Sequence, residues 1–161
     1  MLKSNYLYLI GIMLISGLLV SCDKDSDEEE NETEDTSFLI GTWQKVSNSG
    51  WTKQYGYVNE WNDSYGEDGG IVIFNEDGTC KFYIYEDGTF LEDAFGTWEY
   101  KAGKIYIWDS DADAESVWTV KDFSASALTM EMYEKEIENE VVTYEFYEID
   151  TYRKITNNLI E

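Results

Sequence analysis

The sequence predicts an all-β domain in which eight antiparallel strands, joined neighbour to neighbour, close into an up-and-down barrel. Three observations carry that expectation. Asp-Gly pairs recur between short apolar-alternating runs, and glycine supplies the positive φ that a tight hairpin turn needs. Residues 36–161 hold six Trp, eleven Tyr and seven Phe, and aromatic side chains favour strands. No stretch there combines helical periodicity with freedom from Gly and Asn breakers. An eight-stranded barrel has an interior just wide enough for side chains or one small ligand. An open β-sandwich is the alternative that the same strands allow.

Two segments of a different kind precede that domain. Residues 1–21 carry Lys3 and then Tyr6–Val20, an uncharged apolar run. A membrane span needs about 20 such residues, so the run reads instead as the core of a secretory signal. Leu19-Val20-Ser21-Cys22 follows and resembles the lipobox of bacterial lipoproteins. That resemblance implies cleavage before Cys22 and acylation of its sulfur, so palmitate-type chains would anchor the mature protein in a membrane. Residues 23–35, DKDSDEEENETED, contain no apolar residue and cannot bury enough surface to fold. Their like charges keep them extended as a tether. Acidic stretches just after a lipidated cysteine also resemble signals for the outer face of an outer membrane. The expectation is therefore an outer membrane lipoprotein exposed at the cell surface. A periplasm-facing position is the alternative, as is the inner membrane, for which Asp23 resembles a retention signal.

The domain at residues 36–161 is divided by its turns. EDGT occurs at Glu76–Thr79 and again at Glu86–Thr89, and Lys101-Ala102-Gly103 marks a third turn. The strands between them are expected at Phe38–Ser47, Ile71–Asn75, Cys80–Tyr85, Phe90–Tyr100 with a bulge at Gly96, Lys104–Trp108, Val117–Phe123, Ala127–Glu134 and Val141–Lys154. Alternation is cleanest in ALTMEMYE, where Leu128, Met130 and Met132 face one way and Thr129, Glu131 and Tyr133 the other.

FLIGTWQKV contains Gly41-Thr42-Trp43, which resembles the G-x-W that opens the first strand of lipocalins. With IVIFNEDGTCKF and FGTWEYKAGKIYI, residues 38–155 are similar to the lipocalin-like domains of bacterial lipoproteins. The resemblance implies a barrel whose last strand returns beside the first. It also implies a basic residue packed over Trp43. Arg153, the domain's one arginine, fits that role, and its neighbour Lys154 is also placed for it.

Charge and composition narrow the function. The chain carries a net charge of −23, and residues 36–161 hold 25 acidic against 9 basic side chains. Nucleic acid would be repelled, whereas a basic protein or a cation would be attracted. The chain has no histidine, so the commonest general base is missing. Carboxylates are so numerous that no spacing selects a catalytic pair. The expectation is a protein without catalytic residues or cofactor. Asp109, Asp111, Asp113 and Glu115 alternate, but Ala114 and Val120 stand where a calcium loop needs Gly and a closing Glu. No tight metal site is expected there.

The remaining candidate is SNSGWTKQYGYVNEWNDSYGEDGG, residues 47–70. Trp51, Tyr55, Tyr57, Trp61 and Tyr65 lie among Gly, Ser and Asn, the mixture that recognition loops use. Read as a loop, it folds over one barrel end and faces a ligand. Read as structure, WTKQYGYV extends the first hairpin. Two small-ligand classes suit the domain. A hydrophobic molecule would enter the barrel against Met130 and Met132. A glycan would stack on Trp51 or Trp61, with Asn59, Asn62 or Asp63 on its hydroxyls. A protein-interaction module, either a surface-assembly subunit or an inhibitor of a basic enzyme, is the competing reading.

Overall fold

The structure, a computed structural model, describes residues 34–139 and 141–156. The segments read above as a signal and an acidic tether, with Cys22, lie almost wholly outside them. Nine strands follow in order: β1 (Gly41–Gln54), β2 (Tyr57–Ser64), β3 (Ile71–Phe74), β4 (Thr79–Glu86), β5 (Thr89–Lys101), β6 (Lys104–Asp109), β7 (Ala114–Phe123), β8 (Ala127–Glu138) and β9 (Val141–Ile155). From β3 to β9 each strand pairs antiparallel with the next, and β9 returns to β1. β1 in turn pairs with β3 through Gly41–Gln44. Eight strands thus close into the expected antiparallel barrel.

The ninth strand, β2, lies outside the eight expected strands and matches the alternative reading of residues 47–70. β1 runs on to Gln54, turns through Tyr55-Gly56 and comes back as β2, in register from Gln54↔Tyr57 to Ser47↔Ser64. The stretch read as a covering loop is therefore mostly a β-ribbon, as WTKQYGYV alternatively suggested. Tyr55 has φ 49° and Gly56 φ 85°, the left-handed pair that a two-residue hairpin turn requires. Together with the long β8–β9 hairpin it builds a four-stranded extension, β2-β1-β9-β8, that continues one wall of the barrel.

Inward-facing residues divide the barrel into a packed end and an open end. Leu39, Trp43, Ile105 and Leu128 are wholly buried at the first, with Trp98 beside them. The residues before β1 seal it. Phe38 stacks on Phe123 with ring centres 4.1 Å apart and meets Tyr100 edge-on. Leu39 lends its carbonyl to the Trp43 indole N–H at 2.7 Å. Phe38 and Leu39 thus form a plug in a turn instead of the start of the first strand. Cys80 is buried in the same core.

Two further details differ from expectation. Gly96 stays in register, paired with Cys80 and Asp109. It is glycine because a Cβ there would run into the Trp108 carbonyl. The bulge of β5 lies earlier: Phe82 faces Ala94 and Tyr83 faces Glu92, leaving Asp93 as the extra residue. Arg153 does not lie on Trp43 either. Trp43 pairs with Lys154, and directly opposed residues share a face, so the Lys154 ammonium takes that place, 5.0 Å from the ring centre. Arg153 pairs with Gln44 on the outer face and donates to its Oε1 at 2.7 and 3.1 Å.

Candidate functional site

Beyond the packed core the barrel opens into a half-enclosed cavity of about 230 Å³. Val72, Phe74, Phe82, Ala94, Ile107, Trp118 and Met130 supply its apolar wall, Tyr152 and Ser116 add hydroxyls, and Asp93 and Asp109 are its charged members. Strand alternation explains most of this set. Val72↔Phe82, Phe82↔Ala94 and Ile107↔Ser116 are cross-strand pairs on the inner face. Asp93 and Ala94 are consecutive and would face opposite sides of a regular strand. The β5 bulge brings both to the cavity. Asp109 ends β6, where its Oδ1 accepts from the Asp111 and Ala112 backbone N–H groups. The acidic run at Asp109–Glu115 is thus a hairpin loop closed on its own backbone. Among the described residues no group of three or more Cys, Asp or Glu is gathered to hold a metal ion.

Next to the cavity lies a buried polar cluster that sequence reading missed. Asp150 is 1% exposed. Its carboxylate accepts from Lys45 Nζ at 2.6 Å, Asn48 Nδ2 at 3.0 Å and the Tyr152 hydroxyl at 2.8 Å. Burial, followed by the neighbouring Asp150 charge, raises the Tyr152 hydroxyl well above its ordinary range. Glu148 sits 3.9 Å from Lys45, and burial, reinforced by Asp150, pushes its carboxyl up to about 7. Tyr65 is raised as well, by burial first and then by the charges of Asp63, Asp150 and Glu148. The available signal was the alternation of Glu148, Asp150 and Tyr152 along the last strand. In a chain so rich in acids it did not stand out.

The candidate residues of the 47–70 stretch divide between two faces of the extension. Trp61 opposes Gly50, which opposes Glu148 and then Met132. Asp63, Trp61, Asn59 and Tyr57 therefore continue the inner face of the barrel. Trp61 lies over Gly50, where a Cβ would come within 2.6 Å of its ring, and it meets Phe146 at 5.7 Å between ring centres. Trp51 and Asn62 occupy the other face, where Trp51 stacks on Tyr147 at 6.1 Å. Tyr55 is at the turn and, like Tyr57, is largely exposed. No single face presents all five aromatics. Met130 lines the cavity, while Met132 is one step nearer the extension.

A wider groove of about 490 Å³ lies outside the barrel, between Gln44, Arg153, the Glu67–Asp68 loop and the Tyr85–Phe90 pair. Arg153 is already committed there to Gln44 and to the Gly66 carbonyl. The interior cavity is the better candidate because its wall is mainly apolar and carries a few polar groups.

No protein-family model matches the chain, and no curated protein does. Solved structures do match. One is a lipocalin-like protein from Bacteroides uniformis, 19% identical, covering 73% of this chain and 98% of that one, with a TM-score of 0.42. Another is an uncharacterized protein from Bacteroides eggerthii, 13% identical, covering 73% and 99%, also with a TM-score of 0.42. At this distance the reading of the site rests on its own geometry.

Proposed function

We propose that this domain is a non-enzymatic binding protein that takes one small, mainly apolar ligand into the barrel cavity. In this reading a lipid on Cys22 anchors it, by way of the acidic tether, to an outer membrane with the domain at the cell surface. The cavity carries the reading. An apolar cavity of about 150 Å³ is enough to bind benzene, and this one is about 230 Å³. That suits a molecule of one or two rings and is too small for a whole long-chain fatty acid. A glycan is the second ligand class. Trp61, Asn59 and Asp63 share a face and support it, whereas Trp51 and Asn62 would not take part.

Ala94→Phe places a ring in the cavity from a wall position. Titration with indole should show binding to the wild-type chain and a loss of at least tenfold in the variant. Equal binding by both would move the site elsewhere. For the anchor, Cys22→Ser should abolish lipidation and release the protein from the membrane fraction. A variant that still partitions into detergent like wild type would overturn the lipobox reading.

A protein-interaction module remains the second reading, supported by one observation. Tyr55, Tyr57 and Val58 at one hairpin tip, and Ile137, Val141 and Val142 at the other, are all exposed. A contact made there by so acidic a domain with a basic partner would weaken steeply as salt shortens the Debye length to about 8 Å or less. Capture of an apolar ligand in the cavity would barely respond.

A further inference from the structure

Within the cavity-binding reading, on which this rests, the structure assigns a ligand class: a small organic cation, an amine with an apolar or aromatic body. The lining contains two carboxylates, Asp93 and Asp109, and no Lys or Arg. Lys45 is the basic group of the adjoining cluster, and it is already bound to Asp150 at 2.6 Å. Glu148 lies farther from it, at 3.9 Å. With Lys45 matched by Asp150, the two lining carboxylates have no cation among the lining residues, Asp93 at the exposed rim and Asp109 half-buried. A neutral ligand would leave that charge as it stands, an anionic one would add to it, and an ammonium group would offset it.

The walls point the same way. Phe74, Phe82, Trp118 and Tyr152 all line the cavity, and aromatic faces attract cations as well as apolar bodies. The two carboxylates reach the cavity by different routes: alternation in β6 puts Asp109 on the inner face with Ile105 and Ile107. The bulge delivers Asp93, and Asp109 is held by two backbone N–H groups on Oδ1, which leaves Oδ2 for a ligand. Asp109 also bears on the interior electrically: after burial, its charge is the next cause that pushes the Cys80 thiol up to about 11. The ligand would place its apolar body against Ile107, Trp118 and Met130 and its ammonium between Asp93 and Asp109.

The test titrates the whole chain, at low salt, with three compounds of similar shape: phenethylamine, 2-phenylethanol and 3-phenylpropionate. Phenethylamine should bind about tenfold tighter than the alcohol, a preference of the size one charge at an aromatic, carboxylate-lined site provides, and the carboxylate should bind weakest. Asp93→Asn and Asp109→Asn should each cut the preference for the amine over the alcohol several-fold. The amide at 109 keeps an oxygen for the turn, so the loop is preserved. If amine and alcohol bind equally, or the carboxylate binds best, the charge assignment fails while the cavity reading survives. If none of the three binds, both fail.

Discussion

Lys154 and Arg153 are adjacent basic residues with opposite tasks, and the difference is testable one side chain at a time. The Lys154 ammonium lies over the fully buried Trp43 indole. Lys154→Met keeps an apolar stem and removes the cation. It should cost about 0.5–2 kcal/mol in urea denaturation, and no loss would show that the contact is packing alone. Sequence reading narrowed the partner of Trp43 to these two residues but could not choose. Neighbours in a strand face opposite sides, and the choice depends on a register set by closure. Glu148 gives a second prediction. Its pKa is raised from 4.5 to about 7, so the folded state holds its proton more tightly than the unfolded chain. The resulting stabilisation is complete below pH 4.5 and is lost as pH rises through about 7. Wild type should lose stability across that window, and Glu148→Gln should remove the part due to this carboxyl. Identical pH slopes in the two proteins would contradict the assignment. Nothing in the sequence marked Glu148 among so many acids, because its shift comes from burial and from Asp150, both products of the fold.

The strand elements from Ile71 onward were legible, and the reason is local. Ala102-Gly103 and Asp87-Gly88 both adopt positive φ at each residue, as two-residue hairpin turns demand. The same EDGT tetrapeptide makes a longer turn at its first occurrence, where Asn75 through Gly78 lie between β3 and β4 and Asp77 caps the Thr79 N–H. For β2 the sequence left two readings open, a loop or an extended hairpin, because its turn carries Tyr at a left-handed position. A bulky residue there is uncommon, and Asn or Asp is the usual signal. Tyr55→Asn should therefore stabilise the protein, by about 1 kcal/mol if the turn geometry is retained. An unchanged or lower denaturation midpoint would argue against this turn. Gly50 tests the ribbon from the other side. A Cβ there collides with the Tyr147 carbonyl and the Trp61 ring, so Gly50→Ala should cost about 1–3 kcal/mol and alter Trp61 fluorescence. A neutral substitution would mean that β1 and β9 do not approach as closely as described.

At the scale of the whole molecule, one barrel end is filled and the other is open, and the open end is where charge collects. The closed architecture followed from turn spacing and alternation. The open interior did not, because whether a barrel is hollow depends on how far inward side chains reach. Phe38 and Leu39 plug one end, and the ion-paired cluster around Asp150 occupies part of the other. Burying that cluster costs desolvation, which the Lys45 ion pair and the Asn48 and Tyr152 hydrogen bonds to Asp150 offset. The proposed ligand site is this cavity. Methyl-resolved NMR of the whole chain, titrated with phenethylamine, tests it most directly. Shifts are expected at Val72, Ile107 and Met130 inside the barrel, with Val58, Ile137 and Val141 at the hairpin tips unmoved. Shifts confined to the tips, with the interior methyls silent, would contradict it.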